Sequence, residues 1–221
     1  MNAREEVLRR VRAARPAPAA GVVPRDYRTA DDDDGHDDRL ATDGNGRDDR
    51  LAMLVDRLLD YRAGVHRCTA GTLAATVAGL LGSRVVVPAG VPEGWLSAYQ
   101  GMVVRDGEPA LVEVAELDEP GLTVLTGCAA AIAQTGTLVL DAGPTQGRRL
   151  LTLVPDHHVC VVHAGQVTYG VPAGLARLGD PTRPLTLISG PSATSDIELN
   201  RVEGVHGPRR LDVVLVSAPA A

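Results

Sequence analysis

Between Thr123 and Val216 the chain alternates short apolar runs with helix-like segments, and few architectures accept that order. Strand-length runs fall at Thr123–Leu125, Thr137–Leu140, His158–Val162, Leu185–Ile188 and Leu211–Val216. Helices are predicted at Ala129–Gln134, around Ala173–Leu178 and from Ser195. Such alternation implies βα units with right-handed crossovers, hence an α/β fold with a mainly parallel sheet flanked by helices. The composition agrees. With no Phe, one Trp and four Tyr, the core must be filled by Val, Leu, Ala and Ile, which suits strands buried on both faces.

Upstream the pattern is less regular. Leu51, Leu54, Val55, Leu58 and Leu59 fall at i, i+3, i+4, i+7 and i+8, which predicts an amphipathic helix. Thr72–Leu81 reads as a second helix closed by Gly82, and Arg84–Val87 as a buried strand ended by Pro88. Further strands are expected near Gly101–Arg105 and Leu111–Glu113. Residues 1–15 form a short N-terminal helix with Val7, Leu8 and Val11 at helical spacing, stopped by Pro16 and Pro18. Residues 16–50 read as an acidic, Pro/Gly/Asp-rich linker; within it, residues 26–50 hold ten Asp against four Arg. A segment so poor in apolar groups cannot offset its ordering entropy, so disorder is the expectation. The folded domain is then 51–221.

Several function classes drop out early. All 22 basic residues are Arg, so Schiff-base chemistry, a lysine nucleophile and a P-loop lysine are excluded. No basic patch interleaved with aromatics suggests nucleic acid. Cys68, Cys128 and Cys160 are too scattered for a C-x-x-C motif, an iron–sulfur cluster or a disulfide framework. Without a signal peptide or membrane-length apolar run, the expectation is a cytoplasmic protein. No cofactor is expected.

Polar chemistry concentrates after Ile188, in Ser189-Gly-Pro-Ser-Ala-Thr-Ser-Asp-Ile-Glu198 and Gly204-Val-His-Gly-Pro208. Ser195 and Glu198 match a capping box. That leaves Gly190, Ser192 and Thr194 unexplained, and a Gly-bearing hydroxyl loop opening a helix also suits an anion or carboxylate. Asp196 opposes an anion there. His206, between glycines, either fixes its turn through backbone bonds or serves a site as acid or base, with Asp196 or Glu203 as partner. Gly207 belongs to the same turn. His206 starts at the opposite sheet end, so a homo-oligomer would bring it to a neighbour's loop.

Two further clusters carry weaker signals. Thr135-Gly136-Thr137 reads as a helix stop, with hydroxyls that would otherwise line the crevice. His157-His-Val-Cys160-Val-Val-His163 splits across a strand's two faces, His158 with Cys160 and His157 with His163, so no metal site is expected. Asp156 and His157 are read as turn residues. By the rule that ligands bind beyond strand carboxyl ends, Ser189–Ser195, Asp141–Pro144 and Ala164–Gln166 are the loops of interest.

Together, Ala129-Ala-Ala-Ile-Ala-Gln-Thr-Gly-Thr-Leu-Val-Leu140, Leu153-Val-Pro-Asp-His-His158 and the two loops after Ile188 resemble the LUD-domain family, of the lactate-utilisation protein C type. The resemblance covers about residues 50–217. It implies a fold similar to the sugar-phosphate isomerase and CoA-transferase superfamily, and a part in oxidising L-lactate to pyruvate beside iron–sulfur partner proteins. It implies a chain without cluster ligands of its own. The family often has Glu where Gln134 stands and a basic residue where Ala193 stands, which weakens a catalytic carboxylate at the first position and an anion site at the second. The competing expectation is a stand-alone isomerase or acyl/CoA-transfer enzyme acting on a carboxylate or sugar phosphate.

Overall fold

The computed structural model describes residues 3–14, 44–180, 182–194, 202–203 and 207–217. In chain order these form α1 (Ala3–Ala14), α2 (Gly44–Asp60), β1 (Gly64–Cys68), α3 (Leu73–Ala78), β2 (Arg84–Pro88), α4 (Glu93–Leu96) and β3 (Met102–Asp106). Next come α5 (Val114–Leu117), β4 (Leu122–Gly127), β5 (Ala130–Ile132), β6 (Thr137–Leu140) and a 3-10 turn (Arg149–Thr152). β7 (His157–His163), a second 3-10 turn (Ala164–Gln166), β8 (Val167–Thr168), α6 (Val171–Ala176) and β9 (Thr186–Ile188) follow. The described chain closes with β10 (Ala193–Thr194), β11 (Val202–Glu203) and β12 (Arg210–Val216).

Six strands form one parallel sheet in the order β1–β12–β7–β4–β2–β3. Its central strands carry mostly apolar residues on both faces because both faces are covered, with His157, His158 and Asp212 as polar exceptions at their amino ends. On one face α2 inserts Leu54 and Leu58, both fully buried, against Cys160, Val162, Val213 and Leu215. On the other, Leu73 and Val77 of α3 and Leu96 of α4 cover Val159, Val161, Val214 and Val216. Odd and even positions of β7 thus feed different cores, as the two-residue strand period requires. Truncating Leu58 to alanine would cost about 2–5 kcal/mol on the usual cavity scale. The α/β, mainly parallel expectation agrees with this architecture.

A second sheet, β8–β5–β6–β9, adds to the α2 face, with β6 antiparallel to both β5 and β9. Two segments expected in the parallel sheet, 137–140 and 185–188, lie here instead. Ala129–Gln134, predicted as a helix, is the strand β5; its Ala-Ala-Ile run is wholly buried, and a short run with no polar face has no periodicity to separate helix from strand. Leu111–Glu113 is not a strand. Val112 donates its N–H to Asp106 Oδ1 at 2.9 Å rather than to a neighbouring strand, and Arg148 Nε holds Oδ2 of the same carboxylate at 2.8 Å. Helix α2 starts at Gly44, within the stretch read as linker; a nucleated helix extends cheaply outward from its packed end. No described helix is long and apolar enough to cross a membrane.

Candidate functional site

A cavity of about 380 Å³ opens where β9 ends, bounded among the described residues by the 189–192 loop, Gly207–Pro208, the Arg149–Thr152 turn and the first residues of β7 and β12. The rim is built by the glycine- and proline-bearing segments. Gly190 sits at φ +93°, and a Cβ there would stand 2.6 Å from Cβ of Tyr61, so only glycine fits against the end of α2. The Ser192 N–H donates to Pro208 O at 2.8 Å, tying the outgoing rim strand to the returning one. Ser189 Oγ lies 2.8 Å from Thr137 Oγ1, which lies 2.7 Å from Thr135 Oγ1. This hydroxyl chain anchors the start of the loop to β6.

At the wall stands His158, fully buried. Its Nε2 is 2.8 Å from Thr126 Oγ1, and its Nδ1 has no partner among the described residues. Thr126 is also fully buried, and among the described residues its hydroxyl has only this imidazole to bond. A buried hydroxyl proton left unpaired is costly. Thr126 therefore donates to Nε2, and the ring proton resides on Nδ1 as an unmet donor. Burial, with a smaller contribution from neighbouring His157, pushes the imidazole pKa down to about 3, so the ring is neutral at neutral pH. Exposed Arg149 also lines the cavity, and its guanidinium has no partner among the described residues. A neutral imidazole in the wall and a guanidinium without a partner among the described residues give the cavity the means to hold an acceptor-bearing anion.

On the opposite face of the same strand ends lies a separate polar cluster. Asp212, at the start of β12, accepts from His66 Nε2 and His157 Nε2 at 2.7 Å each and from Arg210 Nε at 2.7 Å. His157 Nδ1 is 3.2 Å from Thr123 Oγ1, which accepts the Gly82 N–H at 3.1 Å. Burial alone raises the Asp212 pKa, but the His157 and His66 hydrogen bonds and the Arg210 charge outweigh it and hold the carboxyl below the usual range. These contacts cross-link β1, β12, β7 and β4. Gly64 is required beside them, since a Cβ there would fall 2.1 Å from Asp212 Oδ1. His157, expected in a turn, is thus a strand residue with both ring nitrogens used. Among the described residues no group of three or more His, Cys, Asp or Glu has metal-holding geometry.

Of the site residues expected from sequence, Gly190, Ser192 and Gly207 line the cavity. Thr135 joins it only through Thr137 and Ser189. Gly136 sits at φ +62°, where an added Cβ would stand 2.7 Å from Cβ of Arg57, so it serves the close junction with α2. The backbones of Thr194 and Glu203 lie in the antiparallel β10–β11 pair. Asp196 and His206 lie outside the described residues, as do the capping box and the helix expected from Ser195. The cavity sits at the amino ends of β7 and β12, not beyond the sheet's carboxyl ends. There the chain closes on itself: Gly90 N–H donates to Pro144 O, Gly127 N–H to Thr145 O, and Gln166 Nε2 to Cys128 O. Arg149, Thr126 and the role of His158 were not read from sequence. The usable signal was one strand, His158–Val162, whose first inward position is an imidazole in an otherwise apolar row.

Residues 122–216 match the LUD domain family, a span that contains every cavity-lining residue from Arg149 to Leu211. The chain is 51% identical over 166 residues to the lactate utilization protein C of Deinococcus radiodurans, covering 73% of this chain and 76% of that protein. It is 34% identical over 120 residues to the lactate utilization protein C of Halalkalibacterium halodurans, covering 48% and 47%. A crystal structure of a DUF162 family protein from Deinococcus radiodurans superposes with a TM-score of 0.65 at 42% identity, over 77% of this chain and 98% of that one.

Proposed function

Since the chain belongs to the LUD-domain family, among the proteins named lactate utilization protein C, we propose that it serves L-lactate utilisation and binds a small carboxylate in the cavity beside His158. Oxidation of L-lactate to pyruvate releases two electrons, and in this reading they pass to iron–sulfur partner proteins. The three cysteines of this chain are buried and free, and only Cys128 and Cys160 meet, so in this reading the cluster thiolates belong to those partners. The contribution of this chain is to hold the organic acid. The single observation carrying the proposal is that one cavity is lined both by Arg149, whose guanidinium has no partner among the described residues, and by His158, whose buried Nδ1 has none among them. The guanidinium takes the carboxylate, and the imidazole donates to a second oxygen. His206, next in the chain before the cavity-lining Gly207, is the acid–base candidate of this reading, with Asp196 or Glu203 as its carboxylate partner.

The test is growth on L-lactate as sole carbon source of a strain lacking the gene, complemented with wild type, Arg149→Gln or His206→Ala at matched expression. Rescue by wild type and not by the variants supports the proposal. Normal growth without the gene, with no second copy to cover it, sinks the pathway reading and favours a stand-alone isomerase or acyl-transfer enzyme.

A further inference from the structure

We infer that the natural occupant of the cavity is an organic carboxylate with an apolar body, larger than lactate, whose acid group meets Arg149 and whose body lies along Leu185, Leu187 and Ile188. This deepens the carboxylate reading above and rests on it. Volume comes first. At roughly 30 Å³ per water-sized unit, 380 Å³ holds about a dozen such units, twice the six non-hydrogen atoms of lactate. The volume also falls within the roughly 300–1,000 Å³ of pockets that enclose drug-sized ligands.

The wall is the second observation. Leu153, Leu185, Leu187, Ile188 and Leu211 line it together with Pro191 and Pro208. Leu187 is 59% exposed and Leu185 36% exposed, apolar surface that a small, fully hydrated acid would leave wet. The third is depth. Arg149 is exposed while His158 is fully buried, so the cation and the neutral donor stand at different levels of the cavity. A molecule that satisfies both carries its charge at one end and an oxygen acceptor further in, with apolar atoms between. Lactate has its oxygens on adjacent carbons.

Calorimetric titration of the full chain with L-lactate, butyrate, octanoate and 8-oxononanoate, below any micelle concentration and with stoichiometry fitted, tests this directly. Because each buried methylene is worth roughly fourfold in affinity, octanoate is expected to bind one per chain and at least about tenfold more tightly than lactate. The keto acid is expected to exceed octanoate through the His158 donor. Leu187→Ser, at an exposed position, is expected to cut the octanoate-to-lactate affinity ratio by about fourfold or more. Leu175→Ser, a change at another exposed leucine, on α6 outside the cavity, leaves that ratio unchanged. Equal affinity for lactate and octanoate overturns this inference and leaves the small-carboxylate reading standing. If no carboxylate binds, the carboxylate reading itself fails and takes the inference with it.

Discussion

The carboxylate of Asp212 lies 2.7 Å from Nε2 of His157, across the paired strands β12 and β7. With His66 on its other oxygen, Asp212 closes the amino end of the sheet on the face away from the cavity. Leaving a buried donor unmet costs about 1–3 kcal/mol, so Asp212→Ala, which strands the His157 donor, is expected to lose about that much in urea unfolding. The folded-state pKa is depressed, so this stability is present above the unfolded carboxylate value near pH 3.9 and is lost as pH falls below it. A loss under about 1 kcal/mol at pH 7, as for a surface ion pair, would contradict the role given to Asp212.

His158 also makes the protein less stable on acidification, but over a higher pH window. The folded ring resists protonation until about pH 3, whereas the unfolded ring protonates near 6.5. The unfolded state therefore binds more protons between those values, and stability falls as pH drops through that window. At about 1.4 kcal/mol per pH unit, wild type is expected to lose about 2–3 kcal/mol from this group between pH 6.5 and 4.5. His158→Gln lacks that loss, so the stability gap between the two proteins should narrow by the same amount. A gap that stays constant with pH would show that the ring is not buried as described.

Gly190→Ala forces a Cβ to within 2.6 Å of Tyr61 at a φ of +93°. Left-handed strain and the clash are expected to cost about 1–3 kcal/mol together, read as a lowered unfolding midpoint. Carboxylate affinity should fall with it, because the same residue sets the rim. Wild-type stability in the variant would mean that the rim is not held against α2.

Arg149→Gln separates binding from folding. An exposed side chain with no partner among the described residues contributes within about 0.5 kcal/mol to stability, so the unfolding curve should hardly move. Hydrogen bonds to charged groups are worth about 1.5–3 kcal/mol, so carboxylate affinity is expected to drop about tenfold or more. Unchanged affinity would remove Arg149 from the site.

The parallel sheet was readable because β4, β7 and β12 each hold short apolar runs, such as Val159–Val162 and Val213–Val216, of the kind that strands buried on both sides carry. The rim was readable for a related reason: Gly190, Pro191, Gly207 and Pro208 restrict the backbone wherever they stand. β5 was not, since Ala130-Ala-Ile132 has no polar position to fix a period. Nor was the split into two sheets, because β6 and β9 resemble parallel strands until their partners are known. His157 and His158 show the limit most plainly. They are adjacent and chemically identical, yet one is consumed by Asp212 and Thr123 and the other keeps an Nδ1–H without a partner among the described residues. Only the pairing of strands distant in sequence decides which.

The central claim is that the cavity beside His158 receives the acid, and the most direct measurement is a long-range ¹H–¹⁵N NMR spectrum of the histidine rings during titration with L-lactate and then octanoate. The account expects His158 in the neutral Nδ1–H form, with its Nδ1 signal moving as ligand saturates while those of His66 and His157 stay in place. A His158 signal that never moves, or movement confined to His66 and His157, would contradict it.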